Sequence, residues 1–235
     1  MESVYIKAST QLLIVLIFVV LLILYYFFYY DDVVGVYSNI DGKKYSVRAS
    51  PIASSTPLIA SSLFDTSANV ADVANVTNEE SSNNTNNRLA ANFLAILNQK
   101  ITTLVDFMYI NNLPDIEVAQ RLKYKWTHCR LRETNSNEDS IAYTVNKGEE
   151  MRVCIRQNDK LEDLNTAIFV ILHELAHIMS VSYGHNEEFR ENFNYIVHLA
   201  SKLGIYIPQN FQNEPVNYCG TDINTTPCSD GSCSV

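Results

Sequence analysis

Positive charge is scarce in this sequence. Lysine and arginine number 17 against 26 aspartates and glutamates, a formal net charge of -9 over 235 residues. Such a chain gains nothing from displacing counterions off a phosphate backbone, so no nucleic-acid partner is expected. Its one basic cluster, Arg121, Lys123, Lys125, Arg130 and Arg132 around Trp126, reads as a charged face alternating with core residues. No internal repeat is present, which argues against a solenoid. The five cysteines show no C-x-x-C spacing, which argues against a structural zinc knuckle. Cys219, Cys228 and Cys233 lie in a Gly/Pro/Ser/Thr-rich tail where they can pair with one another, while Cys129 and Cys154 read as buried thiols.

The run LLIVLIFVVLLILYYFFYY, residues 12–30, carries no charge, glycine or proline. Its length matches a bilayer core, and its terminal tyrosines suit the interface, so a transmembrane helix is expected there. A cleaved signal peptide would have a shorter apolar region and a small-x-small site. A single-pass membrane localisation follows, with a bilayer partner through residues 12–30 and a short segment, 1–11, before it. The side of the membrane stays open. Lys43, Lys44 and Arg48 after the run favour a cytosolic C-terminal part, whereas the sequons at Asn75, Asn83 and Asn224 matter only in a lumenal one.

Residues 31–49 alternate around Asp41-Gly42 and suggest a short hairpin. Residues 50–87 are rich in Ser, Ala, Asn and Thr and read as a flexible, disordered tether. From Arg88 the apolar residues recur at helical spacing up to Asn111-Asn112-Leu113-Pro114, and a second helix is expected over 115–125. Three short stretches, 129–132, 141–145 and 151–156, suggest a small antiparallel sheet. Residues 161–180 form a helix apolar around most of its circumference, capped by Asp163 or Asn165. Residues 187–203 form an amphipathic helix with Phe189, Phe193, Ile196, Ala200 and Leu203 inward, ended by Gly204. The expected architecture is α+β: a domain over 88–215 behind an N-terminal anchor and tether, with a Cys-containing tail at 216–235.

The buried helix contains H-E-L-A-H. Residues four apart differ by about 40° around a helix, so His173 and His177 point the same way. Two such imidazoles reach one zinc at about 2.0–2.1 Å. Glu174 then sits beside the metal, able to take a proton from an attacking water. Burying two histidines and a glutamate in the most apolar helix without a common partner would cost several kcal/mol (roughly 1–3 for each unsatisfied group). One zinc per chain accounts for all three. A third ligand leaves one tetrahedral position open. His185 is the candidate, because Gly184 permits the turn that brings the chain back. Glu187 and Glu188 are its rivals, and His128 and His198 are weaker ones. Tyr183 and Tyr218 are candidate donors to an oxyanion, and the strand over 151–156 is a candidate to align an extended substrate.

The stretch LHELAHIMSVSYGHNEEFRENFNYIVHLASKLG resembles the WLM-type zinc metalloproteases, relatives of the SprT-like proteases. Those proteins have H-E-L-A-H, then Gly-His, then Phe four residues on. The matching positions here are His173, Glu174, His177, Gly184, His185 and Phe189. Ala142-Tyr143-Thr144, Asn146-Lys147-Gly148, Cys154-Ile155-Arg156, Asn165-Thr166 and Tyr218-Cys219-Gly220 are similar to the branch encoded by large DNA viruses, many of whose members carry one N-terminal span. The likeness covers roughly 88–227 and lacks the DNA-binding region and partner-binding tail of cellular members. It implies a minimal zincin-like domain, a zinc metalloendopeptidase activity on a protein or peptide near a membrane, His173, His177 and His185 as ligands, and Glu174 as general base. The competing expectations are a viral membrane or envelope component whose domain zinc only staples, and a disulfide-bonded adhesion protein.

Overall fold

A computed structural model describes residues 13–22, 33–50, 78–135, 138, 140–227. They divide into two units, Met1–Asp32 and Val33–Val235. In the first, the described part is helix α1 over 13–22. Among the described residues no helix is long and apolar enough to cross a membrane. That finding overturns the expected transmembrane helix over 12–30, and with it the single-pass localisation. The remainder of the apolar run and the segment 1–11 lie outside the described residues.

The second unit opens with the hairpin β1 (Val33–Tyr37) and β2 (Lys44–Arg48), paired antiparallel about Asp41-Gly42. Helix α2 (Asn78–Ile110) starts inside the stretch that composition assigns to a tether. Its inward face, including Leu94, Leu97, Ile101, Leu104 and Met108, is fully buried. Helix α3 (Ile116–His128) is capped by Asp115, whose carboxylate accepts from the backbone N–H of Glu117 and Val118. It buries Ala119, Leu122 and Trp126, and the Trp126 indole donates to Thr102 Oγ1 at 3.0 Å. Residues 51–77 lie outside the described residues.

The sheet has the order β3-β5-β4, from β3 (Arg130–Glu133), β4 (Ala142–Val145) and β5 (Glu150–Val153). It is mixed rather than the expected antiparallel sheet. β4 and β5 form a hairpin through Asn146-Lys147-Gly148, but β3 pairs parallel to β5 on its other side. Alternation within each strand is the same in either case, so only the crossover from β3 to the far edge decides direction. Two minor hairpins follow, β6 (Arg156–Gln157) with β7 (Lys160–Leu161), and β8 (Val216–Tyr218) with β9 (Thr221–Ile223).

Helix α4 (Leu164–Met179) runs through the middle of the core, with Ala167 to Leu172 all buried. Asp163 caps it, accepting from the Thr166 N–H and hydroxyl at 2.8 Å each. Asn165 instead pins the returning chain through two 2.8 Å bonds to the Ile207 backbone. Helix α5 (Glu187–Lys202) packs on α4, capped by Asn186, and Phe169 anchors an aromatic cluster with Phe193, Tyr206 and Phe211.

The first hairpin belongs to this core through a buried ion pair. Arg156 and Glu133 side chains are each 1% exposed and meet at 2.8 Å. The Arg156 guanidinium also donates to Ser50 Oγ at 2.8 Å and to the Arg48 carbonyl, while the Arg48 N–H donates to Glu133 at 2.7 Å. The tail is fastened at the other end by a disulfide between Cys154 and Cys219. Cys154 is therefore not the plain thiol expected. Cys129 is a free cysteine, and Cys228 and Cys233 lie outside the described residues.

Candidate metal centre

Helix α4 carries His173 and His177 one turn apart, with ring centroids 5.0 Å from each other. Past its C-cap, Ser180, the chain turns at Gly184 (φ +82°), a conformation that costs a residue with a Cβ. This brings His185 back over the helix. Its Nε2 lies 3.0 Å from His173 Nε2 and 3.2 Å from His177 Nε2. Three ligands at about 2.05 Å in a tetrahedral shell would stand about 3.3 Å apart. Three inward nitrogens cannot all satisfy one another by hydrogen bonding, because each neutral ring presents either one N–H or one lone pair there. A divalent cation accepting all three lone pairs fits this donor set. Phe189 supports the group from below, with ring centroids 4.9, 4.2 and 4.7 Å from His173, His177 and His185.

The rival ligands are engaged elsewhere. Glu188 accepts from the Val181 N–H at 2.6 Å, the Ser182 N–H at 3.0 Å and the Ser182 hydroxyl. These bonds hold its carboxylate down to about 2. Glu187 is exposed and pairs with Arg190 at 2.5 Å. His128 ends α3, its Nδ1 2.7 Å from the Tyr124 carbonyl, and His198 lies on α5 outside the cluster.

Electrostatics hold His173 and His177 neutral and set the glutamate near its titration point. Burial, then the neighbouring imidazoles, push His173 down to about 4. Burial, then His185 and Lys147, do the same to His177. Burial raises Glu174 to about 7, against hydrogen bonds from the hydroxyl and backbone of Thr144. A carboxyl poised there both accepts and returns a proton at neutral pH.

Thr144 stands on β4, the edge strand of the sheet beside α4, so the strand that borders the centre is β4. The 151–156 stretch expected in that role is split between β5, which is paired on both sides, and the start of β6. The same hairpin also holds the loop that bears His185. At its tip, the Lys147 ammonium donates to the carbonyls of Ser180, Val181 and Ser182 at 2.9, 2.6 and 2.8 Å. Gly148 next to it (φ +105°) lies where a Cβ would stand 3.1 Å from Ile178 on α4. The sequence marked Ala142-Tyr143-Thr144 and Asn146-Lys147-Gly148 by their likeness to viral proteins, with no sign that Thr144 and Lys147 are partners of the centre. The candidate oxyanion donor Tyr218 is fully buried, and its hydroxyl donates to the Cys154 carbonyl. Tyr183 is 85% exposed, with Lys147 4.2 Å above its ring.

No family model matches the chain, and no solved structure does. It is similar to proteins of large DNA viruses. Uncharacterized protein R325 of Acanthamoeba polyphaga mimivirus is 28% identical over 144 residues, 59% of this chain and 73% of the relative. Uncharacterized protein 136R of Invertebrate iridescent virus 6 is 32% identical over 80 residues, 32% of this chain and 44% of the relative. Uncharacterized protein 042R of Invertebrate iridescent virus 3 is 35% identical over 86 residues, 35% of this chain and 51% of the relative.

Proposed function

We propose that this chain is a zinc-dependent metallopeptidase, similar to the WLM-type and SprT-related enzymes, that binds one zinc through His173, His177 and His185. The observation that carries the reading is the convergence of three imidazole nitrogens, 3.0 and 3.2 Å apart, beside the buried carboxyl of Glu174. Zinc bound there supplies Lewis acidity, which polarises a scissile carbonyl and acidifies water. Glu174 takes the proton of the attacking water and returns it to the leaving amine, as its position and its pKa near 7 suit it to do. Thr144 holds that carboxylate in place. The free edge of β4 offers backbone groups along which an extended peptide aligns by strand addition. Three ligands leave a coordination position open, which supports a catalytic centre over a purely structural zinc staple.

Zinc analysis and a peptide-cleavage profile of the full chain test this. The wild type is expected to hold about one zinc per chain and to cleave. Glu174→Gln keeps the metal and loses roughly 10²–10⁴-fold in kcat. His185→Ala loses metal. Undiminished cleavage by the Glu174 variant would sink the mechanism. Zinc uptake with no cleavage of any peptide would favour the zinc-stapled, non-enzymatic reading instead.

A further inference from the structure

We infer that the cavity beside the histidine cluster is a specificity pocket for a bulky apolar side chain of a peptide substrate, with the C-terminal segment as its outer wall. This rests on the metallopeptidase reading and extends it to the substrate. The cavity measures about 400 Å³, within the range of sites that enclose a ligand group. His173 and His185 line it and also belong to the histidine cluster, so it adjoins the centre at which a scissile bond would be held. A side chain next to that bond is therefore the group that reaches it.

The lining decides the chemistry. Phe189 and Phe193 form the floor, their rings stacked at 5.7 Å. No carboxylate lines the cavity among the described residues, so an ammonium entering it would be desolvated without a counterion. Arg190 stands at its edge and pairs with Glu187 at 2.5 Å, both side chains largely exposed, so it offers an acidic side chain only a solvent-screened attraction. Asn194, Thr225 and Thr226 lie at its walls, while an apolar group is buried against the two phenylalanines, with which an aromatic ring also makes edge contacts. Residues 225–227 close the side opposite α5. They follow directly on β9, whose hairpin the Cys154–Cys219 disulfide ties to the end of β5. The disulfide and the buried Tyr218 together fix the hairpin from which residues 225–227 extend.

Calorimetry on the zinc-loaded full chain, with two peptide hydroxamates that differ only in a benzyl or a methyl side chain, tests the pocket. The benzyl compound is expected to bind at least roughly 10-fold tighter. Asn194→Trp fills the cavity from α5 and Thr225→Trp fills it from the tail. Each should bring the ratio to about 1 while zinc stays at one per chain. Equal binding of the two compounds by the wild type overturns the pocket and leaves the metal site standing, as does a preference that survives both variants. If the wild type takes up no zinc, the metallopeptidase reading fails on its own. Benzyl alcohol added to the metal-free protein then decides the pocket by whether the Phe189 and Phe193 ring resonances shift.

Discussion

At the scale of single residues, the candidate centre holds protons in two opposed ways. His173 and His177 have folded pKa values pushed down to about 4 from 6.5, so the unfolded chain binds more protons than the folded one between those values. Their contribution to stability is present above about 6.5 and is lost as the pH falls toward 4. Glu174 is raised from 4.5 to about 7 and acts in the opposite sense, because the folded state holds the extra proton. Two imidazoles outweigh one carboxyl, so the chelator-treated protein should lose stability between pH 7 and pH 5. The urea midpoint measures this, and a rise on acidification would contradict neutral buried histidines. Lys147 and Glu188 are positioning residues, one gripping carbonyls and the other amides of the loop before His185. Lys147→Ala should weaken zinc binding by roughly 10–100-fold, the usual cost of losing a partner behind a ligand. Competition with a chromophoric chelator reads that loss. A change in metal-free stability with unchanged zinc affinity would show a structural role only.

At the scale of elements, the β4–β5 hairpin contacts both ends of the centre, through Thr144 on Glu174 and Lys147 on the His185 loop. A shift of this hairpin would move the base and the third histidine together. The β1–β2 hairpin is held by buried Tyr45 and Val47, by Asn92 on α2, and by the Arg156–Glu133 pair beneath it. Replacing Glu133 with Ala leaves the Arg156 guanidinium, 1% exposed, with only the more distant Asp159 carboxylate at 3.9 Å. The expected cost is about 3–5 kcal/mol in urea unfolding. Replacing both partners by apolar residues of similar size should cost much less, because no unpaired charge remains buried. Equal losses for the single and double variants would mean that the hydrogen bonds to Ser50 and Arg48 dominate.

At the scale of the whole molecule, the second unit is closed at both ends of its sequence, by the Arg156 network near its start and by the disulfide near its end. The disulfide joins residues 65 positions apart, which in the chain-entropy account contributes about 4 kcal/mol. Cys219→Ser should therefore lower Tm by roughly 8–16 °C. A shift of only a degree or two would mean that Tyr218, buried with its hydroxyl on the Cys154 carbonyl, holds the tail without the bond.

The sequence by itself determined what depends on local periodicity. H-E-L-A-H puts His173 and His177 on one face because the helical repeat does so wherever the helix sits. The apolar runs of α2 and α4, the Asp163 cap and the Gly184 turn are legible for the same reason: each is a property of a few neighbouring residues. Only the tertiary structure decided which groups meet from afar. His185 rather than Glu187 or Glu188 joins the cluster because Lys147 and Glu188 hold the intervening loop, and neither role has a sequence period. Cys154 pairs with Cys219 because β5 and the tail hairpin converge, although the three tail cysteines are closer in sequence. The hairpin at 33–48 joins the domain through Arg156, more than a hundred positions away. Hydrophobicity over 12–30 suggested a membrane helix, but apolar composition reports length and solvent preference, and among the described residues no helix is long and apolar enough to cross a membrane. Local chemistry is written in spacing, whereas the third ligand and the walls around the centre depend on contacts that only the folded chain makes.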